Sequence, residues 1–300
     1  MQANLATLLA AIPEISLCSS VDLYGGEEPG LPLLQIEGEL GSAVIALQGA
    51  HLLSFIPKAK GGRELLWRSP KAVFAQGKAI RGGVPLCMPW FGAHPSGLPS
   101  HGFARVSNWD VLEVEILSDG AIKIALELAD SAATRALWPH ACLFRLEVIV
   151  GRTLSLQLSV ENRSDTTALF SQAFHSYLAV PDVQDVVISG LGQCTYVDTL
   201  LDGRPRLLQE GDLSVQALTD RVYLDVPAEQ VIKHSAGQIK IVSDTHSAIV
   251  WNPWEGAAKM ADVGAEHYHG FVCVERGDVL DNAVSIAAGG VYRASMTLSE

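Results

Sequence analysis

Apolar and polar residues alternate with a period of two along much of this chain. In AIKIALELAD, Ile122, Ile124, Leu126 and Leu128 fall on one face. FRLEVIV repeats the pattern with Leu146, Val148 and Val150, and TLSLQLSVEN repeats it with Leu154, Leu156, Leu158 and Val160. A strand half-buried against a core has this signature, because successive side chains leave it on opposite sides. Gly151-Arg152, between the last two runs, reads as a hairpin turn. Further strands are predicted at 33–38, 43–47, 111–117, 185–189, 247–251, 271–275 and 291–297. Helical spacing is scarce: 3–11 reads as one short helix ended by Pro13, and 131–137 as a turn. No Gly-, Pro- or Ser-rich linker and no fixed-period repeat divides the chain. The expectation is an all-β fold, a large antiparallel β-sandwich spanning 1–300 as one domain, with 1–13 as an N-terminal helical extension.

One stretch breaks the rhythm. RGGVPLCMPWFGAHPSGLPSHGFARVSNW, residues 81–109, is rich in glycine and proline and carries aromatic, histidine and arginine side chains. A loop of this length in a compact domain is usually functional or disordered, and its aromatic content argues for function.

Composition narrows the partners. Of 300 residues, 48% are hydrophobic and 18% charged, which suits a globular protein with a full core. A net charge of −12 with no basic run excludes binding to a nucleic-acid backbone or an anionic membrane surface. A small anionic ligand stays open, because a few placed arginines overrule the average field locally. The five cysteines are widely spaced, odd in number and lack a CxxC, which predicts free thiols in a reducing compartment. MQANLATLLAAIPEI has no basic residue ahead of its apolar stretch and is too short to span a bilayer, so it reads as neither signal peptide nor anchor. The protein is expected to be soluble and cytoplasmic, and the sequon Asn162-Arg163-Ser164 irrelevant there.

Phosphate-loop, dinucleotide, serine-hydrolase and zinc-protease signatures are absent. EHYHG would put His267 and His269 on one face of a strand, a metal-compatible spacing with no clear third ligand, so surface histidines are the better reading. Three polar insertions into apolar or glycine-rich surroundings remain. His175 interrupts the apolar run QAFHSYLAV, as either a satisfied core histidine or a proton carrier. Glu275 closes the β-prone run of GFVCVERGD, as either a solvated strand end or an acid–base group. Arg81 and Arg105 stand beside glycines, where guanidinium forks suit phosphate oxygens but ordinary loop ion pairs are equally open. Together with Trp90, Trp251 and Trp254, whose indoles suit the apolar face of a sugar ring, these residues describe a site for acid–base work on a polyhydroxylated, phosphorylated ligand.

IRGGVPLCMPWFG, HGFARVSNW, FHSYLAV, DRVYL, VWNPW and FVCVERG occur here in the order seen in the glucose-6-phosphate 1-epimerases. The chain resembles these hexose-6-phosphate mutarotases of the aldose 1-epimerase superfamily from about residue 30 onward. The resemblance implies a galactose-mutarotase-like supersandwich and interconversion of the α and β anomers of glucose 6-phosphate, with no metal or redox cofactor. It implies His175 and Glu275 as the catalytic pair, Arg81 and Arg105 as holders of the 6-phosphate, and His101 beside them on the ligand. Asp220 of DRVYL matches a carboxylate at the sugar hydroxyls. FHSYL departs from the family in having serine where threonine is common, and His267 and His269 stay unexplained. The expected partner is a small hexose 6-phosphate, and the expected state a monomer, with a dimer still open. Two other functions remain open: a non-catalytic carbohydrate-binding module of the same fold, and an epimerase of unphosphorylated hexoses. A binder needs the tryptophans but no acid–base couple, and a neutral sugar gives the arginines nothing to neutralise.

Overall fold

The computed structural model describes residues 2–58 and 62–300, so Met1 of the expected N-terminal extension lies outside the described residues. Two antiparallel sheets dominate it, of nine and eight strands, with a four-stranded and a two-stranded sheet in addition. The alternating runs build the nine-stranded sheet. Asp110–Ile116, Ile122–Ala129, Cys142–Val150 and Leu154–Asn162 pair as neighbours in sequence, and Val291–Ser299 follows on the far side. The hairpin closes with Val150 opposite Leu154 and the Gly151 amide bonded to the Thr153 carbonyl, at the predicted turn.

The eight-stranded sheet runs Arg206–Leu208, Thr195–Asp198, Thr219–Tyr223, Ser247–Asn252, Phe271–Asp278, Gln172–Phe174 and Leu86–Cys87, with Tyr177–Ala179 also paired to Phe271–Asp278. One face of it packs on the nine-stranded sheet. Phe174, Tyr223, Ala248, Val250, Val272 and Val274 share a single buried cluster with Leu126, Leu146, Val148, Leu156 and Leu158. Each buried valine or leucine here contributes about 1.5–3 kcal/mol by leaving water. The other face is left for Val197, Asp220, Val222, Ile249, Trp251, Cys273 and Glu275, because these alternate with the core residues along their strands.

The short helices have local causes. Gln2–Ala10 places Leu5, Leu8 and Leu9 against the core and ends ahead of Pro13, as predicted to within a residue. The predicted turn at 131–137 is a helix, Ala132–Leu137, whose first turn is capped by the Ser131 hydroxyl accepting from the Thr134 amide. A second capped helix, Ser20–Tyr24, and the strands Ile15–Ser19, His51–Pro57, Thr219–Tyr223, Glu229–His234 and Gly237–Ser243 add to the predicted set.

Candidate active site

His175 does not sit within a strand as its apolar neighbours suggested. It falls in a break between Gln172–Phe174 and Tyr177–Ala179, and both pieces pair with Phe271–Asp278. On one side of the break Phe174 pairs with Arg276, and on the other Tyr177 pairs with Cys273. Counting that register through the gap puts His175 directly opposite Glu275. The backbone is released there: the His175 amide bonds to the Pro85 carbonyl and the Ser176 amide to the Phe174 carbonyl. The side chains keep the pairing, with His175 Nε2 3.3 Å from Glu275 Oε1.

Glu275 is not the solvated strand end its turn-like context suggested. Phe271–Asp278 is buried along its whole length, and Glu275 is 1% exposed at its middle. The next residue, Arg276, points into the core, where its guanidinium donates to the carbonyls of Pro227, Ala228 and Thr245 and to the Gln230 side chain. What reads as a polar turn is therefore a continuous strand whose inward guanidinium finds acceptors for both Nη atoms.

The Arg81–Trp109 segment wraps this pair. Arg81 Nε donates to Asp262 Oδ2 at 3.0 Å and its Nη1 donates to the Tyr177 hydroxyl at 2.8 Å. Tyr177 in turn stacks flat on the His175 ring, with centroids 4.8 Å apart and planes 8° from parallel. His101 has a left-handed backbone, φ 64°, and accepts at Nδ1 from the Gly92 amide. The following Gly102, φ 69°, completes the reversal, and a Cβ there would stand 2.0 Å from the Met88 carbonyl oxygen. This turn brings the His101 ring edge-on to His175, with centroids 5.8 Å apart. Arg105 donates Nη2 to the Ser100 carbonyl and forms no ion pair among the described residues.

The cleft above these groups has a volume of about 530 Å³. Arg81, His101, His175, Asp220, Trp251 and Glu275 line it, so six of the nine residues singled out in the sequence meet in one place. Arg105, Trp90 and Trp254 do not line it. Trp90 packs edge-on against His94 and Phe103 and donates to the Pro99 carbonyl, and Trp254 packs on Tyr268; both stabilise loops. His267 and His269 lie around the short 3-10 helix Tyr268–Gly270 rather than on a strand, next to Glu266 and Asp182 respectively. Sequence reading missed Thr199 and Arg204, which line the cleft from an exposed loop, and the buried His51, which sits in an apolar run with no motif around it.

Burial dominates the electrostatics. It pushes the Glu275 carboxyl well up, with the like charge of Asp220 adding to the effect, and pushes His175 well down, with His101, Arg105 and Arg81 adding. Each group is driven toward its neutral form, so the pair carries one proton between Oε1 and Nε2. Wherever that proton rests, one partner is an acid and the other a base. Asp220 is also raised by burial, with Thr199 and Arg204 drawing it back.

His51 lies beneath the segment with Nε2 2.7 Å from the Gly82 carbonyl oxygen, and burial lowers it to about 4; His101 is lowered to about 3 by burial and the nearby Arg105 and Arg81. The folded state thus binds these protons less well than the unfolded chain. Stability is full above pH 6.5 and falls as the unfolded chain takes up protons, by about 1.4 kcal/mol per pH unit for each such histidine, until the folded values are reached. Urea melts between pH 7 and pH 4 are expected to show this loss, and His51→Gln to flatten part of it. A pH dependence of the midpoint that is the same in His51→Gln as in the native protein contradicts it.

The sequence model of the aldose 1-epimerase family matches residues 32–299. The chain belongs to the aldose 1-epimerase family. It is 40% identical over 251 residues to a Salmonella typhimurium protein, the match covering 82% of each chain, and 38% identical over 270 residues to one from Escherichia coli K12, covering 88% of this chain and 89% of that one. Both relatives carry the name "Putative glucose-6-phosphate 1-epimerase". In structure this aldose 1-epimerase family member is similar to the crystal structure of YeaD from Salmonella typhimurium, described as a "putative mutarotase", with a TM-score of 0.84, 32% identity and coverage of 96% of this chain and 93% of that one. The galactose-mutarotase-like supersandwich implied by the motifs is the fold of this family member.

Proposed function

We propose that this aldose 1-epimerase family member interconverts the α and β anomers of glucose 6-phosphate, with His175 and Glu275 as its acid–base pair. The observation that carries the reading is the His175–Glu275 contact at 3.3 Å on the floor of a cleft large enough for one hexose phosphate. Ring opening removes a proton from the anomeric hydroxyl O1 and delivers one to the ring oxygen O5. Glu275 takes the first and His175 gives the second, from the form of the pair in which the shared proton rests on Nε2 of His175. The aldehyde turns about C1–C2, and closure runs the same transfers backwards. One proton shared by the pair is what this cycle requires, since each turnover returns it. A non-catalytic binding module has no use for two buried ionisable groups held in contact.

The guanidinium of Arg81 supports a phosphorylated substrate, with Arg105 as a second phosphate ligand reached once substrate is bound. Asp220, with Thr199 and Arg204 around it, suits the sugar hydroxyls, and Trp251 offers the apolar wall. One core cluster reaching from Ile12 to Leu298 supports reading the chain as a single domain. Five free cysteines, four of them buried, support a reducing cytoplasm, and the cleft is built from one chain, so a monomer suffices. Among the described residues no helix is long and apolar enough to cross a membrane.

Anomer exchange followed by NMR tests the proposal. Saturation transfer between the α and β C1 protons is expected to rise with enzyme for glucose 6-phosphate and to be far weaker for glucose and galactose. Equal enhancement for all three sugars removes the phosphate from the reading. No enhancement for any of them removes the reaction.

A further inference from the structure

Cys273 stands two residues before Glu275 on the same strand, so its side chain leaves the sheet on the same side, toward the cleft floor. Anomer exchange makes no use of it. Its Sγ, a ring nitrogen of His175 and a carboxylate oxygen of Glu275 all lie within 4.8 Å of one another, and among the described residues no other three His, Cys, Asp or Glu side chains meet so closely. All three residues are buried, and Oε2 of Glu275 and Nδ1 of His175 have no hydrogen-bond partner.

Thiolate, imidazole and carboxylate together are the donor set of a borderline-soft divalent cation. Zinc bonds to them at about 2.3, 2.0 and 2.0–2.2 Å respectively, which in a tetrahedral centre separates the donors by roughly 3.5 Å. A small rotation of each side chain closes the observed spacing to that figure. His175 and Glu275 both line the cleft, so the ion has a way in from that side, while Cys273 is fully buried and does not line it. Magnesium and calcium are excluded, since they take six or more oxygen ligands and not a thiolate.

The geometry points to a Zn²⁺-binding site formed by His175, Cys273 and Glu275, whose occupation switches the enzyme off. Zinc–sulfur, zinc–nitrogen and zinc–oxygen bonds form as the aqua ion sheds water. The S–H bond of Cys273 breaks, and its proton leaves for solvent with the one the histidine and glutamate share. Nothing is oxidised or reduced. Two protons leave for one doubly charged ion, so the net charge of the buried site is unchanged, and no uncompensated charge is created in the low-dielectric floor. With zinc in place the shared proton is gone and the ion holds the donor atoms of both groups away from O1 and O5, so exchange stops. Metal binding stands on the donor geometry alone, whereas the loss of activity rests on the function proposed above.

The test uses the full chain and the metal alone. Co²⁺, a spectroscopic substitute for Zn²⁺, is expected to bind with a thiolate-to-cobalt charge-transfer band in the near ultraviolet, and Zn²⁺ to displace it at one equivalent. Cys273→Ser is expected to lose the band. It should keep metal-free anomer exchange and raise the Zn²⁺ concentration for half-inhibition at least tenfold, and Mg²⁺ should inhibit neither protein. If serine disturbs the core, as circular dichroism would show, Cys273→Ala serves in its place. A cobalt band absent from the native protein or surviving in the Cys273 variant overturns the site, whether or not any sugar is turned over. Zinc inhibition unchanged by removal of the thiol overturns the switch.

Discussion

Glu275→Gln lowers the rate of glucose 6-phosphate anomer exchange by roughly 10²–10⁴-fold while leaving the fold intact, the range that one positioned proton carrier supplies. The amide has nearly the shape of the carboxyl and fits the same buried slot, but it neither accepts the O1 proton nor holds the one shared with His175. His175→Ala lowers the rate by roughly 10² or more for the same reason. Because the two groups act as one unit, the double variant is expected to be little slower than the worse single one. NMR exchange rates for the three variants, with near-ultraviolet circular dichroism as the check on folding, decide the matter. Full activity in either single variant removes that residue from the mechanism.

Arg81→Ala weakens glucose 6-phosphate by about tenfold or more, since charge-assisted hydrogen bonds contribute ~1.5–3 kcal/mol each and 1.4 kcal/mol is tenfold in affinity. In a chain of net charge −12 a dianion meets an unfavourable average field, so its affinity has to come from such local contacts. Arg81 has a second task that separates two outcomes. Its Nη1 holds the Tyr177 hydroxyl, and Tyr177 is the plate on which His175 lies, so losing Arg81 also loosens the acid. Loss of phosphate binding raises KM for glucose 6-phosphate and spares residual activity on glucose; loss of support lowers turnover of both sugars. The larger share is expected on KM. Arg81→Lys recovers part of it, because an ammonium cannot reproduce the fork that reaches Asp262 and Tyr177 together. Arg105→Ala is expected to behave likewise, with no effect on the Tyr177 contact. Equal proportional losses on both sugars would show that the arginines only hold the loop.

The outer sheet was legible because it is wet on one side. The runs at 122–128 and 144–160 alternate cleanly, as one-sided strands must. Phe271–Asp278 is buried on both faces and has no alternation to read, so in sequence it reads as ending at the first charges, Glu275 and Arg276, where the strand in fact continues. Those charges sit inside because one faces the cleft and the other finds core carbonyls, facts of tertiary structure that spacing does not carry. The candidate site residues are legible where they break an apolar pattern, as His175 does, or match an ordered motif, as Arg81, His101 and Asp220 do. The tryptophans misled because an indole looks the same in sequence whether it walls a cleft, like Trp251, or pins a loop, like Trp90. His51 and Arg204 gave no local signal, the first lost in an apolar run and the second on an exposed turn.

The ladder that sets His175 against Glu275 also fixes which kinds of change the protein tolerates. Phe174–Arg276 and Tyr177–Cys273 clamp the two strands on either side of the pair, so loops between them, such as that carrying Arg204, are free to lengthen or shorten without moving either group. One residue inserted between Phe174 and Tyr177, or deleted within 273–276, would break the shared count on one side of the gap. By the parity of a strand it would send one of the two side chains to the wrong face of the sheet. Relatives of this chain can therefore differ widely in loop length and in sequence, while counting out the same few residues around these two positions.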